Sequence, residues 1–366
     1  MKKILALALA LVMILSLGVT SFADYDYPGN AKVFCTDYTG KTVILHSNDV
    51  HGALGGYAFM TELKNEFLAA GATDVILVDA GDFSQGTSYV SSSKGANAVT
   101  MMNAAGYDVA TLGNHEFDFG YAQLMENLKE AQFQIICADV YLDETGETIL
   151  PATAIVEVET AEPVEETEAA EGEEEPETNL RIGFFGMETP ETATKVNPGM
   201  IKEISFATFD DLYASAQVAV DSLKEEAVDL IIGLVHLGVD KESAANGYRS
   251  IDLYDKVPDI DFLIDGHSHT VMTSGENGEP IQSTGTKFAN VGVVVIDNET
   301  KTISDHFLIA TSGLKKDADV QADADKIMAA VDEEYSAVFA TSEVDLNGER
   351  DPGNRTEQTN LGTLIT

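Results

Sequence analysis

Positive charge is scarce in this chain of 366 residues: 21 lysines and arginines face 62 aspartates and glutamates, for a net charge of -41. A surface of that sign repels nucleic acid and anionic lipid, which excludes polyanion binding through a basic face. It gives no long-range attraction to a phosphate-bearing ligand either. Any anion site must therefore carry its own local positive charge, and a bound metal is the economical source. Cysteine is nearly absent. The two present, Cys35 and Cys137, are too few for a thiolate metal centre. Cys137 lies in the apolar stretch FQIICADV, where a small buried thiol is the expected reading, and nothing in the sequence brings it to Cys35. Past the N-terminus, no apolar run reaches the ~20 residues that span a bilayer.

What is present begins with an export pattern. Lys2 and Lys3 precede the run ILALALALVMILSLGV, and Ser21-Phe22-Ala23 puts small residues at the -3 and -1 positions of a cleavage site. Residues 1–23 are thus expected to be a signal peptide and 24–40 an N-terminal extension. The mature protein is expected to be secreted, periplasmic or at the cell surface, without stable membrane insertion.

A hydrophobic content of 44% and a charged content of 23% suit a folded chain, long enough for one large domain or two. Apolar runs alternate with helix-like segments. Strands are predicted in KTVILHSND, DVILVDAGD, DVATLGN, FQIICADV, LRIGFFGME, DLIIGLVHL and DFLIDGH, several of them apolar on both faces as in a covered parallel sheet. Helices are predicted in GGYAFMTELKNEFLAAG, GANAVTMMNAAG, YAQLMENLKEA and FDDLYASAQVAVDSLKEEA. The alternation predicts an α/β domain. KFANVGVVVIDN and KTISDHFLIAT, joined by a short polar link, predict an antiparallel pair. Two segments break the pattern: residues 157–178 hold eleven glutamates and read as an acidic, solvated insert, and DADVQADADKIMAAVDEEYSAVFATSEV reads as a long helix leading out of the domain.

Five of the seven histidines stand in polar stretches at the ends of apolar runs. These stretches are SNDVHG (Asp49, His51), DAGDFSQG (Asp82), GNHEFD (Asn114, His115, Asp118), GLVHLG (His236) and DGHSHT (His267, His269). Each motif alone is weak, since a single strand-end histidine is usually a structural hydrogen-bonding group. In a parallel sheet, however, the C-terminal strand ends share one edge, so residues far apart in sequence converge there. Imidazoles and carboxylates together suit a divalent ion such as zinc or manganese. His46 and His306 fall inside apolar runs and are expected to be packing or surface residues. Asp79 and Glu116 are read as structural groups beside the centre.

The order DxH, GD, GNHEFD, a single His, then GHSH resembles the calcineurin-like metallophosphoesterases. Within them it is similar to the secreted bacterial 5'-nucleotidase branch, which includes UDP-sugar hydrolases and 2',3'-cyclic-nucleotide phosphodiesterases. The likeness runs from about Lys41 to Thr311. It implies a four-layer α/β/β/α sandwich over 41–312, a C-terminal linker helix over 313–354, and in 355–366 the start of a second, nucleoside-recognising domain that is otherwise missing. It also implies two divalent ions, zinc, manganese or similar, about 3.5–4 Å apart. Asp49, His51 and His269 would hold the first ion. Asn114, His236 and His267 would hold the second, with Asp82 bridging. His115 would act as the catalytic non-ligand, oriented by Asp118, and Asn114 and His115 would bind substrate. The implied activity is an exported phosphohydrolase taking phosphate from small nucleotides in the manner of a 5'-nucleotidase. A 2',3'-cyclic-nucleotide 2'-phosphodiesterase/3'-nucleotidase and a UDP-sugar hydrolase are the alternatives, and a metal-containing surface binding module is the non-enzymatic one.

Overall fold

The first strand, β1 (Lys41–Ser47), is buried along nearly its whole length, so it needs partners on both edges and cover on both faces. A computed structural model supplies them, describing residues 36–160, 179–338, 340–349, 351–354 and 356–365. The expected signal peptide, Cys35 and residues 161–178 of the acidic insert lie outside the described residues. In chain order follow β2 (Asp74–Asp79), β3 (Val109–Thr111), β4 (Gln134–Ile136), β5 (Val140–Leu142), β6 (Thr153–Glu159) and β7 (Asn179–Glu188). Then come β8 (Ile204–Phe206), β9 (Leu230–His236), β10 (Phe262–Asp265), β11 (Val271–Met272), β12 (Ile281–Thr284), β13 (Asn290–Asp297) and β14 (Thr302–Ala310).

Two six-stranded sheets result, in the orders β14-β13-β1-β2-β3-β4 and β11-β12-β10-β9-β7-β6, with β5 and β8 as a separate pair. Strands β1 to β4 are mutually parallel, as are β7, β9, β10 and β12. The expected antiparallel pair is β13–β14.

The period of two along each strand separates the layers. Ile44, Ile76, Val78, Val109 and Val294 of the first sheet meet Ile182, Phe184, Ile232, Leu234 and Ile264 of the second in one buried cluster. The alternate residues Phe185, Met187, Ile231, Val235 and Leu263 face the other way, onto Leu212, Ala216, Val220 and Leu223 of the helix Asp210–Glu225. That helix carries Asp210 and Asp211 in its first turn and Lys224 in its last, each matched to the local end of the helix dipole. Helix Tyr57–Ala69 presents Tyr57, Met60, Leu63 and Phe67 at a spacing of three to four and packs on β1 and β2, with Ala96–Ala105 beside it. The layers are helix, sheet, sheet, helix. Fully burying one phenylalanine such as Phe184 contributes roughly 1.5–3 kcal/mol, and the inter-sheet layer holds several such groups.

The chain divides into two compact units at Ile327/Met328. The helix beginning at Ala318 ends at Tyr335, short of the longer helical pattern expected from the sequence. In the second unit, Asn360 accepts from Asn347 N and donates to Asp345 O, holding 345–347 against the short helix Asn360–Ile365. Cys137 carries a free, buried thiol, 3.4 Å from Asp139 Oδ1. His46 is fully buried, with Nε2 2.9 Å from Gln282 Oε1, and burial first of all draws it down to about 4. The His306 ring stands edge-on to Phe262. Both are packing residues. Among the described residues, no helix is long and apolar enough to cross a membrane.

Candidate metal centre

Five of the parallel strands deliver polar residues at or just past their C-terminal ends. Asp49 and His51 follow β1, Asp82 follows β2, Asn114 and His115 follow β3, His236 closes β9, and His267 and His269 follow β10. Six of them, Asp49, His51, Asp82, His115, His236 and His269, fall into three overlapping groups, and the Asn114–His267 pair adjoins these through the His236 and His267 rings, 5.2 Å apart. Asp49–His51–His269, His51–Asp82–His115 and Asp49–Asp82–His236 each offer donor atoms within 4.8 Å of one another. Five of the residues, Asp49, His51, Asp82, His267 and His269, have φ between 45° and 72°. Side-chain-bearing residues avoid that left-handed region unless the surroundings impose it, and such strain clusters at functional sites.

The backbone turns are held by side chains of their own. Asn48 accepts from the backbone N–H and hydroxyl of Thr284 at 2.9 and 2.7 Å, and donates to Asp49 Oδ2 at 2.6 Å. This leaves Asp49 Oδ1 turned inward, 3.4 Å from His269 Nε2, 3.8 Å from His51 Nε2 and 3.9 Å from His236 Nε2. The Glu116 carboxylate accepts from the backbone N–H of Asp82, Phe83, Ser84 and Gly113, tying the β2 and β3 loops together. Burial and the charge of Asp82 push the Glu116 carboxyl up to about 7, against the Gly113, Ser84 and Asp82 donors. Asp79 likewise stays outside the centre, accepting from Ser47 Oγ and Gly81 N. Gly113 has ordinary extended backbone, and its need is space: a Cβ there would overlap the Asp82 carboxylate and the His236 ring. Gly120, by contrast, has φ 90° and meets the conformational demand of the turn itself.

The imidazoles are aimed by their outer nitrogens. His236 Nδ1 donates to Ala80 O at 2.6 Å, so Nε2 is the inward atom, 3.2 Å from Asp82 Oδ2. Asp82 Oδ2 is also 3.7 Å from His51 Nε2, and its Oδ1 accepts from His115 N at 2.9 Å. His51 Nε2 and His269 Nε2 approach to 2.9 Å. His267 Nδ1 lies 2.9 Å from Asn114 Oδ1, and its Nε2 is 3.1 Å from Glu191 Oε2. His115 Nδ1 and Asp118 Oδ2 are 2.7 Å apart. Burial depresses the His115 imidazolium, but the Asp118 hydrogen bond and the charges of Asp82, Asp118 and Glu116 lift it to about 8. Burial likewise opposes the charged forms of Asp82 and His236. Their mutual attraction overrides it, holding the carboxyl far below its usual range and the imidazole well above its own.

Whether these residues fit metal can be judged from the atoms left over. Asp49 Oδ1 and His236 Nε2 are buried and have no hydrogen-bond partner. A buried polar atom without a well-directed partner is costly, and here both face a cluster of further groups of metal-ligand type. The residues fit a cation site. Sequence reasoning missed Asn48, Glu191 and Asp265; the last accepts from Leu237, Gly238 and Gly266 N–H and from Ser250 Oγ, bracing the β9 and β10 loops.

A family model described as calcineurin-like phosphoesterase matches residues 42–271, a span that contains every residue of this centre. The trifunctional nucleotide phosphoesterase protein YfkN of Bacillus subtilis is 29% identical over 376 residues, covering 94% of this chain and 24% of that protein. Human 5'-nucleotidase is 30% identical over 258 residues, covering 64% of this chain and 39% of its own length. The chain thus spans well under half the length of either relative. Among solved structures, calcineurin-like phosphoesterase YfkN from Bacillus subtilis shares the fold at a TM-score of 0.67 and 22% identity, over 81% of this chain and 99% of that one.

Proposed function

This chain belongs to the calcineurin-like phosphoesterase family, and from that premise we propose that it is an exported, dinuclear-metal phosphohydrolase acting on nucleotides. The carrying observation is the pair of buried, unpartnered atoms Asp49 Oδ1 and His236 Nε2 amid converging imidazoles and carboxylates. Residues 41–312 form the catalytic domain in this reading. Asp49, His51 and His269 hold one cation; Asn114, His236 and His267 hold the other; Asp82 is shared, because Oδ2 stands between His236 on one side and His51 on the other. When bound, such a pair supplies Lewis acidity, activating water near neutral pH and neutralising phosphoryl charge. That local charge answers the otherwise repulsive net charge of -41.

The chain's own part is positional. Asp118 holds the Nδ1–H of His115, which leaves Nε2 as the ring atom able to donate to the phosphoryl group or the leaving oxygen. Asn114, adjacent in sequence, contributes its side-chain oxygen to the centre and borders the same substrate position.

Elemental analysis together with phosphate release from AMP and ester cleavage of bis-p-nitrophenyl phosphate tests the assignment. Two equivalents of metal, turnover of AMP, and loss of turnover on EDTA dialysis are expected. Preference for the diester or for a UDP-sugar selects the sibling activities, and full metal occupancy without any turnover makes the protein a binding module. Export rests on Lys2, Lys3 and the Ser21–Ala23 site. N-terminal sequencing of protein from an exporting host is expected to begin at Asp24, and an intact Met1 in the extracellular fraction sinks that part.

A further inference from the structure

His267 faces the centre with one ring nitrogen and the surrounding protein with the other. Its Nδ1 points to Asn114 Oδ1, while its Nε2 contacts Glu191 Oε2 at 3.1 Å. Glu191 belongs to none of the strand-end loops that carry the other groups. It caps the short helix Thr192–Lys195, in the stretch METPETATK.

An i,i+4 pair of Glu191 with Lys195, 2.7 Å apart, would ordinarily be a solvated surface contact of little worth. Two observations set it apart. Glu191 is only 4% exposed, and its other oxygen accepts from Asn246 Nδ2 at 3.1 Å, so three side chains from three segments close on one carboxylate. The turn beneath is fixed as well: Thr192 Oγ1 donates to Glu188 Oε1 at 2.5 Å, and Glu188 is registered opposite His236 across β7 and β9. A carboxylate held in this way cannot swing aside. The nearer, charged acceptor Glu191 Oε2 favours the ring proton on Nε2 over the donor Lys195 Nζ at 3.4 Å, and Nδ1 then meets Asn114 Oδ1 lone pair to lone pair at 2.9 Å, an opposition that a shared cation relieves.

We propose that Glu191 is a positioning residue of the metal centre, fixing the tautomer and ring plane of His267 so that Nδ1 takes one of the two cations, with Lys195 and Asn246 fixing Glu191 in turn. This rests on the two-cation reading above. It parallels the support that Ala80 O gives to His236, but with a charged acceptor, which raises the basicity of the ligand nitrogen. The affinity of one cation then depends on the segments 188–195 and 241–246, which supply no ligand of their own.

Titration of Co2+ into metal-free wild type, Glu191→Ala and Glu191→Gln, followed by ligand-field absorption and by elemental analysis, tests this. Wild type is expected to take two ions. Glu191→Ala should bind one of them about 10- to 100-fold more weakly and the other unchanged. Glu191→Gln should recover most of the loss, because its carbonyl still accepts from Nε2. A Glu191→Ala variant that takes both ions as tightly as wild type overturns the proposal alone. Wild type that takes up no Co2+ overturns the two-cation reading and this proposal with it. Should Glu191→Ala fail to fold, long-range 1H–15N spectra of Zn2+-loaded wild type decide: His267 protonated at Nε2 is expected, and a proton on Nδ1 refutes the assignment.

Discussion

Asp82→Asn is expected to empty the centre. The wild-type carboxylate has two jobs at once: Oδ1 accepts the His115 N–H, and Oδ2 sits 3.2 and 3.7 Å from the ring nitrogens of His236 and His51. An amide has one acceptor. If its oxygen keeps the His115 N–H, its two N–H donors face the position where a shared cation would lie; if it turns over, the backbone donor at His115 is stranded. Either way the anionic bridge is gone, and an amide N–H in the place of Oδ2 would occupy His236 Nε2, 3.2 Å away, against a cation. Metal content after dialysis should fall from two equivalents to below one. Phosphate release should drop at least about 10³-fold, the upper scale on which a single preorganised electrostatic group acts. Two ions retained at full occupancy would count against the bridge.

His115→Ala should separate chemistry from metal binding. Nδ1 of this ring is committed to Asp118, and only its backbone N–H reaches Asp82 by a hydrogen bond. Removing the ring leaves Asp49, His51, Asp82, Asn114, His236, His267 and His269 intact. Metal content is expected to remain at two while turnover falls by about 10²–10⁴, the range for a lost acid–base group. The ring does lie close to His51 and Asp82, within the spacing of a ligand set. Loss of an ion from His115→Ala would therefore move His115 from catalyst to ligand, and an unchanged rate would remove it from both roles.

Much of this centre was legible in the sequence because its residues obey one rule: a polar side chain directly after an apolar strand run. The parallel strands could be found for the same reason, being apolar on both faces. What hid was what breaks that contrast. Strand β12 is buried throughout yet reads Ile-Gln-Ser-Thr, since Gln282 and Thr284 serve buried partners on β1 and the β1 loop. Strands β5, β8 and β11 are two or three residues long, too short to show a period. Asn48 was in view inside SNDVHG, but its service to Asp49 depends on Thr284, far along the chain. Glu191 was masked by its neighbour: a Glu four residues before a Lys reads as an exposed helical pair, and only the fold brings His267 and Asn246 onto it.

The β6–β7 ladder runs from Thr153↔Phe185 to Glu159↔Asn179, so the two points where the acidic insert joins the sheet are one inter-strand spacing apart. That port opens at the N-terminal end of β7, whereas the centre is assembled at the strand's other end, where Glu188 faces His236. A connection across such a gap can be two residues or an entire inserted module, since lengthening a loop whose ends already meet adds little closure entropy. Because Glu159 and Asn179 are anchored at the strand end opposite the ligands, replacing the residues between them by a tag or a tether is expected to leave metal content unchanged.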